Sequence, residues 1–168
     1  MNINTNIRPV AETDAEAITK IYNHYITDTT VSFETEPITT EEMLRRIRQI
    51  SARYPYIVIE QEGRIVGYSY VHPWKERAAY CHTFELTIYL DHEARGKGLG
   101  SMLIDEIIKE CKAKTDSHAI IACITEENKE SMDFHRRHGF KQVSCFKNVG
   151  YKFGKWLDVV DMELELKD

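Results

Sequence analysis

Residues 92–103, HEARGKGLGSML, place two cations and three alternating glycines side by side: Arg95, Gly96, Lys97, Gly98, Leu99 and Gly100. A glycine removes the Cβ that would keep an anion away from the main chain. The flanking patterns show how the loop is held. FELTIYL (84–90) alternates like a strand, with Glu85, Thr87 and Tyr89 on one face and Phe84, Leu86, Ile88 and Leu90 on the other. After the loop, Leu99, Leu103, Ile107, Ile108 and Cys111 recur at helical spacing. Strand, glycine turn and helix start together aim unpaired N–H groups and a positive helix-dipole end at one point, which suits phosphate or pyrophosphate. A Walker loop is excluded, because Asp91 stands where its first glycine belongs and Gly98 follows Gly96-Lys97. A dinucleotide fingerprint starting at Gly96 fails at Ser101. What remains is Arg-x-x-Gly-x-Gly.

Other reactive groups point to less. His135 and His138 are spaced like a metal pair, but no third ligand has fitting spacing and HEARG is not His-Glu-x-x-His, so no metal is expected. Cys81, Cys111, Cys123 and Cys145 are scattered without a Cys-x-x-Cys. Three of them fall in apolar periodic runs, which predicts reduced, buried thiols and a reducing cytosol. The net charge of −5 argues against a general nucleic-acid binder, and the basic run LRRIRQISAR (44–53) reads as the solvated face of a helix. MNINTNIRPV has no signal-peptide pattern, and no apolar run approaches the roughly 18 residues of a membrane span. The expectation is a cytoplasmic protein without membrane contact.

The elements that must position the loop read as one domain, residues 1–168, without repeat or linker. A strand at Ile7–Val10 leads to a capping box, Thr13-x-x-Glu16, and a helix burying Ala17, Ile18, Ile21, Tyr22 and Tyr25. VSFETEP is irregular. Thr39-x-x-Glu42 caps a second helix with Met43, Leu44, Ile47 and Ile50 inward. YIVIEQ and RIVGYSYV form a hairpin about Glu62-Gly63, and HPWKERAA separates it from the 84–90 strand. HAIIACI is a buried strand, TEEN opens a short helix ending at His138-Gly139, and KQVSCFKNV and KWLDVVDMELEL are two late strands. The order predicts an α/β fold: a mixed, mostly antiparallel twisted sheet with a parallel central pair, flanked by helices. The glycine loop then sits at the C-terminal end of a central strand.

This order, with RGKGLG between the fourth strand and its helix, resembles the Gcn5-related N-acetyltransferases (GNAT) over essentially the whole chain. The resemblance implies that Arg95 to Gly100 hold the pyrophosphate of acetyl-coenzyme A as co-substrate. It also implies that Ile88, Tyr89 and Leu90 pair their backbone with the pantetheine arm, and that Asn128 reaches the same arm. IYNHYITDTTVSFETEP, RYPYIVIE, HPWKERAAY, FELTIYL and GYKFGKWLDVV are similar to the phosphinothricin acetyltransferase subgroup. That similarity implies Glu85 and His135 as the catalytic pair, Lys75 and Arg77 in a substrate loop, and a homodimer whose interface borders the site through the final segment. Relatives often carry a tyrosine acid in the last helix; FHRRHGF has none.

The implied chemistry is consistent with these residue types. Attack on a thioester needs a neutral amine, so a base must take its proton. Burial would raise the pKa of Glu85 and strengthen it as that base, although a strand glutamate also simply faces solvent. His135 could accept a proton, orient water or protonate the thiolate; Tyr89 or a water could do the last. Phe33 could wall the acceptor, while Trp74 and Trp156 read as core or interface anchors. The expected acceptor is a small amino-acid analogue such as phosphinothricin, methionine sulfoximine or methionine sulfone. A protein N-terminus, a polyamine, an aminoglycoside, or a non-catalytic coenzyme A-binding role are the alternatives.

Overall fold

A computed structural model describes residues 4–166. Strand β1 (Thr5–Pro9) is followed by helices α1 (Ala15–Asp28) and α2 (Thr40–Ser51), then strands β2 (Tyr56–Gln61), β3 (Arg64–Pro73) and β4 (Thr83–Leu90). Helix α3 (Leu99–Lys114), strand β5 (Ala119–Thr125) and helix α4 (Lys129–Arg137) lead to β6 (Lys141–Gln142), β7 (Phe146–Lys152) and β8 (Lys155–Glu165). The sheet runs β1-β2-β3-β4-β5-β8-β6, with β7 paired to β8. All pairings are antiparallel except β4 with β5. The α/β architecture with a parallel central pair is therefore the one the sequence order predicts.

Helices cover both faces of the sheet. One core packs α3 against the sheet through Leu99, Leu103, Ile104 and Ile107, with Phe84, Leu86 and Val160 beneath. The other packs α1 and α2 through Ile18, Ile21, Tyr25, Met43 and Ile47 onto Tyr56, Val58 and Tyr68. Here Tyr68 and Tyr89 stack obliquely, and Tyr89 also meets Tyr22 and Tyr25. The α2 cap forms as expected, with Thr39 Oγ1 accepting from Glu42 N.

Several local expectations need correction. The Thr13–Glu16 box does not form. A 3-10 turn at Glu12–Asp14 precedes α1, and the Asp14 carboxylate accepts from Ala11 N at 2.7 Å and from Arg8 at 2.8 and 2.9 Å. A charged acceptor bound to both a backbone amide and a guanidinium outcompetes a neutral hydroxyl. KQVSCFKNV is two strands rather than one. Between β6 and β7, Ser144 Oγ accepts from Asp161 N; within β7 the chain then bulges away from β8 between Phe146 and Gly150, where Asn148 has φ +53° and its N–H donates to Asp158. Only Cys111 is buried; Cys81, Cys123 and Cys145 are exposed, and all four are free thiols. Trp156 is 64% exposed and packs on Tyr151, so of the core and interface roles expected for it the core one fails.

The β4–β5 ladder is short. Pairing covers Thr83↔Ala119, Phe84↔Ile120 and Glu85↔Ile121, after which the two strands part. β4 beyond that point stays paired only with β3, from Leu86↔Val71 to Leu90↔Gly67. Gly67 lets the two strands approach there, since a Cβ would lie 3.0 Å from the Tyr89 carbonyl oxygen and 2.5 Å from Leu90 Cδ2.

Candidate active site

The glycine loop lies where β4 hands over to α3. Gly96 and Gly98 have φ of +77° and +78°, and a Cβ at either would meet nothing within 4 Å. Both glycines serve the left-handed backbone and leave the space over the loop open. Gly98 caps α3, so the amides of Leu99, Gly100 and Ser101 have no helical carbonyl to bond and face outward at the positive end of the helix. Gly100 has another role: a Cβ there would approach Phe134 Cε2 to 3.2 Å, so this glycine lets α4 pack close.

Above the loop is a cavity of about 410 Å³. Its lining includes Ile88, Tyr89 and Leu90 from β4, Arg95, Gly96, Gly98, Leu99 and Gly100 from the loop, and Asn128 and His135 from the α4 region. The structure thus gathers the expected cofactor-site residues around one cavity, apart from Lys97, which is exposed and does not line it. Arg95 Nη2 donates to Glu130 Oε2 at 2.7 Å across the mouth. Asn128 caps α4, its Oδ1 accepting from Ser131 N at 3.2 Å, which leaves its amide NH₂ as a donor toward the cavity. These features fit a diphosphate with a polyamide arm: outward amides, a cation, and a strand edge lacking its neighbour.

A second, smaller cavity of about 110 Å³ opens where β4 and β5 part, lined by Glu85, Thr87, Cys123 and Thr125. The two cavities share Val31, Ile88, Tyr89, Asn128, Ser131 and His135, and so adjoin. Burial pushes the Glu85 carboxyl above its usual value; His72 and a hydrogen bond from the Cys123 thiol oppose the shift, and Asp161 reinforces it. His135 is 3% exposed, and burial holds its pKa below the usual imidazole value. Its Nδ1 lies 2.8 Å from the Ser131 carbonyl oxygen, which can only accept, so Nδ1 carries the hydrogen and Nε2 the lone pair. A neutral imidazole in that tautomer accepts protons at Nε2 and is a poor acid. Tyr89 packs among tyrosines, and burial pushes its phenol well up, which makes it a weak acid too.

Phe33, Lys75 and Arg77 line neither cavity. The Phe33 ring lies over Gly150, where a Cβ would be 2.3 Å from Cε2. Lys75 Nζ sits 4.1 Å above the Trp74 ring, in the loop leaving β3 beside the N-terminal end of β4. Sequence reading missed His24, Glu130 and Phe134 in the larger cavity and Cys123 in the smaller one. The placing of Glu130 in the first turn of α4, two residues past the Asn128 cap, was the available signal; the others carry none. Among the described residues no cluster of metal-binding side chains occurs, and no helix is long and apolar enough to cross a membrane.

A sheet split beside a glycine-capped helix, with a half-buried carboxyl at the split, suits acyl transfer, and the comparisons with known proteins give the class. The GNAT acetyltransferase domain model matches residues 7–160, and the chain belongs to that family. It is 38% identical over 153 residues to phosphinothricin N-acetyltransferase of Streptomyces viridochromogenes, covering 91% of this chain and 83% of that one. It is 32% identical over 164 residues to the L-methionine sulfoximine/L-methionine sulfone acetyltransferase of Salmonella typhimurium, covering 96% and 95%. The crystal structure of a GNAT phosphinothricin acetyltransferase from Sinorhizobium meliloti in complex with acetyl-CoA superposes with a TM-score of 0.92 at 34% identity, covering 96% of this chain and 88% of that one.

Proposed function

We propose that this acetyltransferase moves the acetyl group of acetyl-CoA directly to the α-amino group of a small amino-acid analogue, phosphinothricin, methionine sulfoximine or methionine sulfone. The observation that carries this reading is Glu85: a half-buried carboxyl of raised pKa at the junction of a donor-sized cavity and a small second chamber. The small chamber favours a compact acceptor over a polycation or a peptide.

In this reading the Arg95–Gly100 loop receives the diphosphate, while the β4 backbone at Ile88 to Leu90 and Asn128 hold the pantetheine arm. A main-chain N–H of that stretch polarises the thioester carbonyl. Glu85 takes the proton of the acceptor nitrogen, directly or through water, and His135 accepts a hydrogen bond at Nε2 from the amine or that water. The departing thiolate takes its proton from solvent, since neither His135 nor Tyr89 is a good acid. Lys75 and Arg77 are assigned to the acidic group of the acceptor, and Phe33 to its entrance, on the family resemblance alone, since none of the three lines either cavity.

Release of coenzyme A thiol, followed with each analogue in turn, tests the reading. Amine-dependent release from none of them would overturn it. Glu85→Gln should slow turnover by about 10²-fold or more with donor affinity kept; near-normal turnover would remove Glu85 as base.

The exposed face of the β7–β8 hairpin, with Val149, Tyr151, Phe153 and Trp156 each more than half exposed, supports a homodimer. Sedimentation of the wild type against Trp156→Arg tests this, and a monomeric wild type refutes it.

A further inference from the structure

Glu85 belongs to a row of ionisable side chains. Strand register sets His72 of β3 opposite Glu85, and Cys123 of β5 opposite Asp161 of β8. Glu85 pairs with Ile121, and Cys123 lies two residues beyond Ile121, so all four side chains leave the same face of the sheet. The row crosses four strands, from His72 at the end of β3 to Asp161.

A base that has taken a proton must release it before the next turnover. The groups facing Glu85 differ in whether they can receive it. Although the residue as a whole is exposed, the Cys123 thiol is set between Glu85 and Asp161, and desolvation together with these carboxylates pushes it up, so it donates and does not accept. Asp161 is reached only past that thiol. His135 across the cavity is buried, and burial disfavours its charged form. Burial likewise keeps the Tyr70 phenol protonated. His72 differs from all of these. It is only half-buried, its Nδ1 lies 2.9 Å from the Pro73 carbonyl oxygen, and its ring is 6.0 Å from that of Tyr70. That carbonyl only accepts, so Nδ1 holds the hydrogen and the Nε2 lone pair is available. Side chains directly opposite on antiparallel strands have Cβ atoms about 4.5–5.5 Å apart, within reach directly or through one water.

We propose that His72 is a positioning residue for proton traffic: it receives at Nε2 the proton that Glu85 takes from the acceptor nitrogen, and passes it to solvent. The inference rests on Glu85 being the base. The nitrogen–carbon bond forms and the carbon–sulfur bond breaks. The nitrogen's proton moves to a Glu85 oxygen, then to Nε2 of His72, then to bulk water, and the thiolate draws its proton from solvent. No electrons are exchanged with any other group.

The test uses the full chain with acetyl-CoA and an acceptor from the panel above, comparing His72→Ala and His72→Gln with wild type across the neutral pH range. The expected result is a fall in kcat of about tenfold, smaller than the about 10²–10⁴-fold of a group touching substrate. KM for the donor stays unchanged, the solvent deuterium isotope effect grows, and added imidazole restores turnover of His72→Ala in a dose-dependent way. Wild-type kcat and isotope effect in both variants would overturn the proposal. So would a lowered kcat that imidazole leaves untouched, since that is what mere loss of packing gives. Glu85→Gln assayed in parallel separates the two readings: if it is near normal the base assignment has failed, and if it is slow while both His72 variants are normal the relay alone has failed.

Discussion

In the proposed reading Arg95 serves a diphosphate, yet it is engaged by Glu130 at 2.7 Å. The two side chains are 46% and 75% exposed, so the pair is worth only about 0.2–1 kcal/mol. If the diphosphate takes the guanidinium, that contact is given up on binding. Glu130→Gln removes the competitor, and with RT near 0.59 kcal/mol the gain is about 1.4- to 5-fold in affinity. A carboxylate left about 7 Å from the nearer phosphate charge repels it by roughly 0.6 kcal/mol in water, so its removal adds a further factor of about 2.7. The expected outcome is acetyl-CoA binding about four- to fourteenfold tighter at low salt, with the advantage shrinking as ionic strength rises. Titration calorimetry with acetyl-CoA at two salt concentrations measures this. Unchanged or weaker binding, or a gain that salt does not erode, would refute the idea that Arg95 is shared between carboxylate and diphosphate. An equal gain in an Arg95→Ala background would show that charge alone, and not the pair, is responsible.

Gly98→Ala places a Cβ at φ +78° in open space, so backbone strain of about 1–2 kcal/mol should lower the melting temperature by roughly 2–8 °C. Burial raises the pKa of Glu85, so its basic form, and with it kcat/KM, should grow as pH rises through the raised value. The same shift means the folded state holds this proton more tightly than the unfolded chain. The stability it confers is therefore full below the ordinary carboxyl range and fades as pH rises through the folded value; a pH series of urea midpoints for wild type and Glu85→Gln reads this. His135 has the opposite sign: with its folded value held below 6.5 by burial, stability is lost as pH falls from 6.5 through that value, and His135→Asn should flatten this slope. Gly150→Ala would displace the half-exposed Phe33 ring; stability should hardly change, while KM for the acceptor rises and KM for acetyl-CoA does not.

The strand–turn–helix at 84–114 was readable because period-two and helical patterns meet at glycines that have a single geometric use. The order of antiparallel hairpins and one crossover likewise forecast the sheet. Local competition was not legible. Whether Thr13 or Asp14 capped the first helix depended on Arg8 arriving from β1. The bulge at Asn148 depended on Asp158 from the opposing strand. Cys123 sits in an apolar run and yet is exposed, because β4 has turned away from β5 at that level, a fact no residue near Cys123 encodes. Glu130 and His72 matter through partners 35 and 13 positions away, which pattern reading along the chain does not connect.

The parted β4 and β5 strands leave β4 with an open edge, where the Leu90 carbonyl accepts from the Tyr25 hydroxyl and the other outward peptide groups of 86–90 have no neighbouring strand. A guest carrying its own amides would finish the ladder, so its entry amounts to the last act of folding. Slowed hydrogen exchange should then spread along Leu86 to Leu90, and proline at Ile88 should harm capture of the guest far more than trimming that side chain to alanine.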